Sequence, residues 1–409
     1  MTIQSETINA EALRQRVQDT VAQVGDGLVK LSHDIHGFSE VSWQEHRSAR
    51  AVAEVLREAG FATEVGAYGV QTSVEATYGE GDLTVVLCSE YDALPDVGHA
   101  CGHNIIAAAG VGAALALKEV ADEVGLRVKL LGTPAEEHGG GKVALLEAGA
   151  WEDAAFSMMV HGMSGKEQGV RYMSMTAVER FEVTFTGREA HAAGAPDKAI
   201  NAGAAASLAL VNLAMLRQHL PERSNTNAYI SDGGGATNVI AGTTKVQVEV
   251  RASELDAWRE LKKRVLACFE GAAIATGCGW EHRQTEHPYA PVNTDDAIGE
   301  LWDRNMEALG RPVDNTPSYG GGSTDMGNVS QVVPTVHGMV AVRGSQAVPH
   351  HPDFAADAIS AGADDAVVDG AAVLALTALD VALNPSLRAS LLEQQAARGA
   401  GATTITLQA

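Results

Sequence analysis

The chain has 409 residues, of which 45% are hydrophobic and 20% charged, the balance of a globular protein with two or three domains. Asp and Glu outnumber Lys and Arg by 52 to 29, and a formal charge of −23 repels phosphate backbones and anionic lipid, so we expect neither nucleic-acid nor membrane partners. The polar N-terminus lacks the basic start and apolar run of a secretory signal, which predicts a cytoplasmic location.

In the first part of the chain, short apolar strands alternate with helical patterns. The predicted elements are helices over residues 11–30 and 45–59, a strand over 83–89, a helix over 104–120, a strand from Arg127, a helix over 142–148 and a strand that ends at His161. Such an alternation predicts a mainly parallel α/β sheet with helices on its faces.

Near residue 178 the pattern changes to strands of alternating polarity. The predicted elements are strands over 179–187, 227–235 and 243–253 and helices over 199–218 and 255–275. This order suits a small α+β domain with an open antiparallel sheet. From about residue 293 the first pattern returns, with a helix over 360–380, and a helix from Asn384 precedes a frayed end. We therefore predict a discontinuous catalytic domain, 1–178 and 293–409, with an inserted domain over 179–292.

The densest chemical signal follows the strand over 83–89. Glu90 and Asp92 are followed by the run HACGH (residues 99–103), which places Cys101 two residues before His103. Open α/β sheets bind ligands at this edge, and a thiolate with imidazoles suits Zn²⁺ or another late divalent metal. A helix-entry loop with a buried cysteine and a capping histidine is the structural alternative.

A second signal is the run TPAEEHGGG (residues 133–141), which follows an apolar strand. One of the adjacent carboxylates, Glu136 and Glu137, can bind a metal while its neighbour deprotonates a water, and the glycines let the backbone approach closely. A flexible acidic surface loop is the alternative reading.

Two histidine signals are weaker. His161 directly follows an apolar strand, and His350 and His351 are adjacent, so only one of that pair is expected to face a site. Together the four signals supply a cysteine, three histidines and one or two glutamates, enough for two metals and a spare carboxylate. A cysteine–histidine nucleophile competes with this reading, although it leaves the paired glutamates unexplained.

The motifs HACGH, PAEEHGGG, VHG, GREAHAAGAP and HHPDF, in this order, resemble a family of di-metal peptidases over about residues 30–380. This family includes aminoacylases, auxin-conjugate hydrolases, p-aminobenzoyl-glutamate hydrolases and β-alanyl dipeptidases. The segments YDALP, GHACGHN and GSTDMGNVS look closest to the last two groups. The resemblance implies a mainly parallel-sheet metallopeptidase domain with an inserted α+β dimerisation domain, or lid.

The resemblance also implies roles for matching residues. The metal ligands would be Cys101, His103, Glu137, His161 and His350. Glu136 would be the general base, which takes a proton from a metal-bridging water and returns it to the leaving nitrogen, and Asp92 would orient a ligand. The cofactors would be two divalent ions, Zn²⁺, Mn²⁺ or Co²⁺, and the substrate a small N-acyl amino acid or dipeptide-like amide.

In the lid, His191 would reach the site of a partner subunit and stabilise the oxyanion, which implies a homodimer or a higher oligomer. Asn238 and Arg251 match positions that hold the polar end of the substrate. The chain departs from the family at Glu90, where relatives often have Asp. Two alternatives remain open: a catalytically silent metal- or ligand-binding protein of this fold, and a cysteine-nucleophile amidase.

Overall fold

The structure is a computed structural model that describes residues 9–398, so the predicted frayed end lies outside the described residues. The strands are β1 (Ala62–Val65), β2 (Val74–Tyr78), β3 (Leu83–Ser89), β4 (Leu126–Gly132), β5 (Phe156–Met163), β6 (Met173–Ser174), β7 (Ala177–Thr186), β8 (Ala190–His191), β9 (Ser224–Asp232), β10 (Val239–Ile240), β11 (Thr243–Ala252), β12 (Gly279–Gln284), β13 (Ser318–Tyr319) and β14 (Thr335–Ala341). The helices are α1 (Ala10–Phe38), α2 (His46–Glu58), α3 (His103–Lys118), α4 (Ala121–Val124), α5 (Gly141–Glu147), α6 (Ala202–Leu216), α7 (Leu255–Thr276), α8 (Asp296–Ala308), α9 (Met326–Ser330), α10 (Pro352–Asp357), α11 (Ala361–Leu383) and α12 (Pro385–Arg398).

The described residues form two compact units. The first unit contains residues 9–173, 293–318 and 328–398, and the second contains residues 174–292 and 319–327. The sequence-based boundaries at 178/179 and 292/293 stay predictions.

The first unit is built on a six-stranded sheet in the order β1-β2-β4-β3-β5-β14. The four strands β4, β3, β5 and β14 are parallel, whereas β1 and β2 form an antiparallel edge. All seven residues of β3 are buried, as expected for a parallel strand covered by helices on both faces. The predicted mainly parallel α/β architecture is confirmed.

Two apolar helices cover this sheet. In α3 nearly every residue is buried, and the helix packs against α1 and α11 as well as against β3. By length and composition α11 could also cross a membrane, but 78% of its most apolar 18-residue window is buried inside the first unit. Core helices pass the same test, so this finding is weak evidence for a membrane span.

The first helix is longer than the predicted 11–30 segment. Helix α1 continues to Phe38 because Leu31 and Ile35, one turn apart, extend its buried stripe. It ends at Ser39, whose positive φ of 47° breaks the helical geometry.

The second unit contains an antiparallel sheet in the order β12-β7-β11-β9, with α6 and α7 packed on it. Residues along β11 alternate between buried and half-buried because only one face of the sheet is covered by helices. A separate two-stranded pair, β8 and β10, places His191 opposite Val239.

The edge strand β14 of the parallel sheet is packed too tightly to admit a methyl group at Gly338. A Cβ at this position would overlap the ring of the fully buried Trp302. We expect Gly338→Ala to lower the free energy of unfolding by about 1–3 kcal/mol, the usual cost of overpacking. Denaturant unfolding measures the change.

The matched control is Gly27→Ala on the exposed face of α1, where an added Cβ meets no atom within 4 Å. We expect this variant to be more stable by about 0.5–1 kcal/mol because alanine favours a helix over glycine. Equal unfolding free energies for the two variants would contradict the packing described for Gly338.

Candidate metal centre

The carboxyl ends of the parallel strands gather ionisable side chains at one edge of the first unit. Glu90 and Asp92 follow β3, Glu136 and Glu137 follow β4, and His161 lies near the end of β5. In parallel strands these ends share one edge of the sheet, which is the usual ligand-binding edge of open α/β folds.

Two further segments bring donors to the same edge. Helix α3 begins at His103. The residue before it, Gly102, has a φ of 78°, and this turn of the backbone separates Cys101 from the helix. His350 reaches the site from the other end of the chain: it has a φ of 66°, and its backbone N–H donates to the Ala100 carbonyl at 2.8 Å.

The donor atoms lie within a few ångströms of one another. Cys101 Sγ is 3.5 Å from His161 Nε2, and His350 Nε2 is 3.6 Å from Glu137 Oε2. His103 Nε2 is 3.8 Å from one oxygen of Glu136 and also 3.8 Å from one oxygen of Glu137. All six sequence-predicted residues of the centre therefore come together.

These atoms form two groups that share the cysteine. Cys101, His103 and His161 form one group, and Cys101, Glu137 and His350 form the other. Bonds of about 2.0–2.3 Å place tetrahedral zinc ligands roughly 3.3–3.6 Å apart, close to the distances found between the donor atoms. Two buried donors, His103 Nε2 and Glu137 Oε1, have no hydrogen-bond partner within residues 9–398. The donor set fits two divalent metal ions.

Asp92 fixes the positions of His103 and the glutamate loop through hydrogen bonds. Its Oδ1 accepts a hydrogen bond from His103 Nδ1 at 3.0 Å, and its Oδ2 accepts bonds from the Glu137 backbone N–H at 3.0 Å and Ser42 Oγ at 2.8 Å. Because Nδ1 donates to Asp92, a neutral His103 presents the lone pair of Nε2 to the site. Burial would raise the pKa of Asp92, but His103 and these donors outweigh it, so the pKa lies below its usual range.

The electrostatics of Cys101 and His161 also favour a metal over a free nucleophile. Burial raises the pKa of the Cys101 thiol, with Glu137 adding to the effect, so the thiolate needs a cation beside it. Burial lowers the pKa of His161 to about 4, so its imidazole is neutral near pH 7, as ligation requires. His161 Nδ1 donates to the Gly162 carbonyl, which leaves Nε2 free to coordinate.

The adjacent histidines point in different directions. His350 faces Glu137, whereas His351 accepts the Asp353 N–H through Nδ1 and caps α10. His36 donates from Nε2 to the Ala355 carbonyl and has a packing role.

The predicted lid residues lie in the second unit. His191 is exposed, and its Nδ1 accepts hydrogen bonds from the backbone N–H groups of Ala193 at 3.2 Å and Gly194 at 2.9 Å. Asn238 lies beside it, since its carbonyl accepts from the Ala192 N–H. The neutral ring of His191 therefore carries its proton on Nε2, which can donate a hydrogen bond.

Arg251 lines a different part of this unit, a cavity of about 410 Å³. Its guanidinium donates to both carboxylate oxygens of Glu249 and to the Gly321 carbonyl. Arg223, which the sequence reasoning missed, lines the same cavity and stacks over the Tyr319 ring at 3.3 Å. Arg251 is thus strongly held by its neighbours.

Comparison with known proteins identifies the group to which this chain belongs. The sequence model of "Peptidase family M20/M25/M40" matches residues 86–379. A Xaa-Arg dipeptidase of Mus musculus is 33% identical over 404 residues, which cover 94% of this chain and 92% of the mouse protein. The chain belongs to peptidase family M20/M25/M40.

More distant members and solved structures agree with this family and fold. An N-acetyl-L-cysteine deacetylase of Bacillus subtilis (strain 168) is 27% identical over 354 residues, 81% of this chain and 83% of that protein. A Bacillus subtilis structure described as a dinuclear metal binding peptidase from the M20 family superposes with a TM-score of 0.68 at 20% identity, covering 88% of this chain and 99% of that one. As a member of the M20/M25/M40 family, the chain is a metal-dependent amidohydrolase.

Three features of this M20 site escaped the sequence reasoning. Glu90 forms a fully buried ion pair with Lys142 in the first turn of α5. His337 on β14 lies behind His161, with ring centroids 5.7 Å apart. Only the repeated tripeptide Val-His-Gly, at residues 160–162 and 336–338, could have drawn attention to it.

The third missed feature is Glu45, which holds the glutamate loop from 90 residues away. Its Oε1 accepts hydrogen bonds at 2.9 Å from the backbone N–H groups of Ala135 and Trp43. Ala135 has a positive φ of 57°, unusual for a residue with a Cβ, so the contact supports a strained turn directly before Glu136.

The glycines after Glu137 are required by close packing around this loop. A Cβ on Gly139 would overlap the Trp43 indole, and one on Gly141 would overlap the Pro134 carbonyl oxygen. Both positions show the close backbone approach that the sequence indicated.

Glu45 makes stability depend on pH in a defined direction. Burial, assisted by the charge of Asp92, raises the pKa of Glu45 to about 7. Because this folded-state pKa lies above the unfolded value, the contribution of Glu45 to the free energy of unfolding is fully present below about pH 4.5 and is lost as the pH rises through about 7.

Glu45→Gln keeps an acceptor oxygen and cannot ionise. Between about pH 5 and pH 8 the native chain loses stability as Glu45 ionises, whereas this variant does not. We therefore expect the free energy of unfolding of Glu45→Gln, minus that of the native chain, to rise by on the order of 1–3 kcal/mol over this range.

Denaturant unfolding of chelator-treated protein at both pH values provides the measurement. Glu45→Ala is the comparison variant. It should be less stable than Glu45→Gln at each pH because two backbone N–H groups lose their acceptor. A Glu45→Gln difference that stays constant with pH would contradict the raised pKa.

Proposed function

We propose that this chain hydrolyses the amide bond of a dipeptide or an N-acyl amino acid, with two divalent metal ions and Glu136 as general base. The observation that carries the proposal is the buried group in which His103 Nε2 lies 3.8 Å from both Glu136 and Glu137. Both carboxylates belong to candidate metal-ligand groups, Glu137 with Cys101 and His350, and Glu136 with Glu90 and His103. We assign metal binding to Glu137 and proton transfer to Glu136, the roles that the family resemblance implies.

The ligands would be those of the two donor groups: Cys101, His103, Glu137, His161 and His350. Two divalent ions held by these residues, Zn²⁺, Mn²⁺ or Co²⁺, would supply Lewis-acid polarisation of the carbonyl and would lower the pKa of an attacking water. Glu136, almost fully buried beside them, takes the proton of that water and returns it to the departing nitrogen. Asp92 keeps His103 in the tautomer that points Nε2 into the site.

His191 is proposed to stabilise the oxyanion. Its Nδ1 is occupied as an acceptor of two backbone N–H bonds, so the donor Nε2–H is the atom left to face a substrate. A preorganised donor of this kind lowers the energy of a developing negative charge on the carbonyl oxygen.

The relatives and the charge of the chain support the proposed substrate class. Because the match to the Xaa-Arg dipeptidase spans most of both chains, we propose dipeptides with Arg or Lys at the carboxyl end as the first candidates. A net charge of −23 attracts cationic substrates over anionic ones. Asn238 and the cavity of Arg251 and Arg223 are proposed to hold polar groups of the substrate.

We also propose a cytoplasmic homodimer formed by the second unit. Strand β9 is an edge of its sheet, and exposed apolar side chains stand on β9, α6 and α7: Tyr229 at 61%, Met215 at 66% and Ile274 at 75% exposure. An unpaired edge with neighbouring apolar groups favours pairing with a second copy. In such a dimer His191 would serve the site of the other protomer.

Glu136→Gln tests the proton-transfer role. We expect this variant to keep the native metal content while kcat falls by about 10²–10⁴-fold, because the amide cannot accept a proton. Metal analysis and hydrolysis of an Ala-Arg, Ala-Lys, Ala-Glu and N-acetyl-amino-acid panel provide the measurements. Glu152→Gln, an acidic residue outside the donor groups, is the control and should retain activity. Undiminished turnover by Glu136→Gln would show that Glu136 is not the general base.

Mixing two inactive variants tests whether His191 acts across a dimer. His191→Ala and Glu136→Gln chains each lack one catalytic group, and random pairing restores about a quarter of the sites if His191 serves the partner protomer. Activity is measured after co-refolding of equal amounts of both variants. Activity no higher than the average of the separate variants, with heterodimers confirmed by native mass spectrometry, would show that His191 does not act in trans.

A further inference from the structure

We infer that Glu90 is an additional oxygen ligand of the metal bound by His103, with Lys142 as its charge partner; the inference rests on the proposed metal centre. Glu90 is fully buried after β3, and Lys142 is fully buried in the first turn of α5. Neither residue belongs to the ligand set that the sequence predicted.

The two oxygens of Glu90 have different surroundings. Oε1 accepts a hydrogen bond from Lys142 Nζ. Oε2 lies 3.4 Å from His103 Nε2, is buried, and has no hydrogen-bond partner within residues 9–398. The ion pair thus fixes one oxygen and directs the other towards the metal ligand.

The contact between Glu90 Oε2 and His103 Nε2 places two atoms that can ligate a metal next to each other. His103 Nδ1 donates to Asp92, so Nε2 is the ring atom that faces the carboxylate oxygen of Glu90. Their separation of 3.4 Å matches the spacing of about 3.3–3.6 Å between two ligands of one tetrahedral ion. A doubly protonated His103, with Glu90 as its counter-ion, is the competing explanation that the experiment must exclude.

Glu90 shares His103 with the metal position of Cys101 and His161. Glu90, His103 and Glu136 offer one atom each within 4.8 Å of one another, and His103 also belongs to the group with Cys101 and His161. The shared His103 Nε2 can bind only one ion, so Glu90 enters the coordination of that ion and does not create a third site.

The charge of Lys142 makes such a ligand compatible with burial. An unpaired carboxylate at this depth would carry a large desolvation cost, and Lys142 offsets it while leaving Oε2 available. Glu90 therefore adds an oxygen donor without adding net charge to the centre.

The test measures the two metal dissociation constants of the full chain rather than its activity. Apo protein is titrated with Zn²⁺ in competition with a chromophoric chelator, and with Co²⁺ while the visible absorption bands are recorded. For Glu90→Gln we expect one dissociation constant to increase by at least about 10–100-fold, the size of effect seen when groups around a metal are altered, while the other stays within a few-fold. The Co²⁺ bands of the weakened site should also shift, because a carboxylate oxygen leaves the ion.

Two comparison variants separate ligation from charge and from stability. In Glu90→Gln/Lys142→Met both charges are removed together, which protects folding; if Glu90 is a ligand, the site remains weak. Glu167→Gln breaks another buried ion pair of the first unit, with Arg311, and should leave both dissociation constants unchanged.

The outcomes are distinct. Native dissociation constants for Glu90→Gln, or their recovery in the double variant, would show that Glu90 only balances charge and would overturn the inference. A native chain that binds two ions would still support the proposed metal centre in that case. A native chain that binds no metal would overturn the proposed centre itself.

Discussion

The candidate centre depends on one buried carboxylate, Asp92, and on the hydrogen bonds that it accepts. Asp92 contacts His103 at the start of α3, the backbone of Glu137 in the loop after β4, and Ser42 in the segment between α1 and α2. These three segments are distant in sequence, so a single side chain sets their relative positions. If Asp92 lost its charge, His103 and the glutamate loop would lose their common support, and the metal-ligand groups would lose their alignment.

The same region shows how a strongly acidic site can remain buried. Glu90, Asp92, Glu136 and Glu137 lie close together at one end of the sheet. Lys142 lies beside Glu90 and His103 lies beside the other three, and burial of this many carboxylates favours a further cation. A divalent metal fits this requirement, and the acidic ligands, the Cys101 thiol and the neutral His161 ring all favour one.

The sequence predicted those parts of the molecule that depend on local pattern. Apolar runs located β3, β4 and β5, and their carboxyl ends indicated which residues would meet at one edge of the sheet. The motif resemblance selected His350 from the adjacent pair with His351, and no local pattern could connect it to Glu137. The contacts that support the site were beyond reach because they join distant positions: Glu45 reaches Ala135 across 90 residues, and Lys142 reaches Glu90 across 52. Nothing in the sequence near either residue marks its partner.

The measurement that tests the account most directly is the number of divalent ions per chain, determined by elemental analysis, together with hydrolysis of dipeptides before and after chelation. The account predicts two ions per chain, loss of hydrolysis when they are removed, and recovery when Zn²⁺, Mn²⁺ or Co²⁺ is restored. Hydrolysis that persists in metal-free protein, or a chain that binds no metal when each ion is supplied, would contradict it.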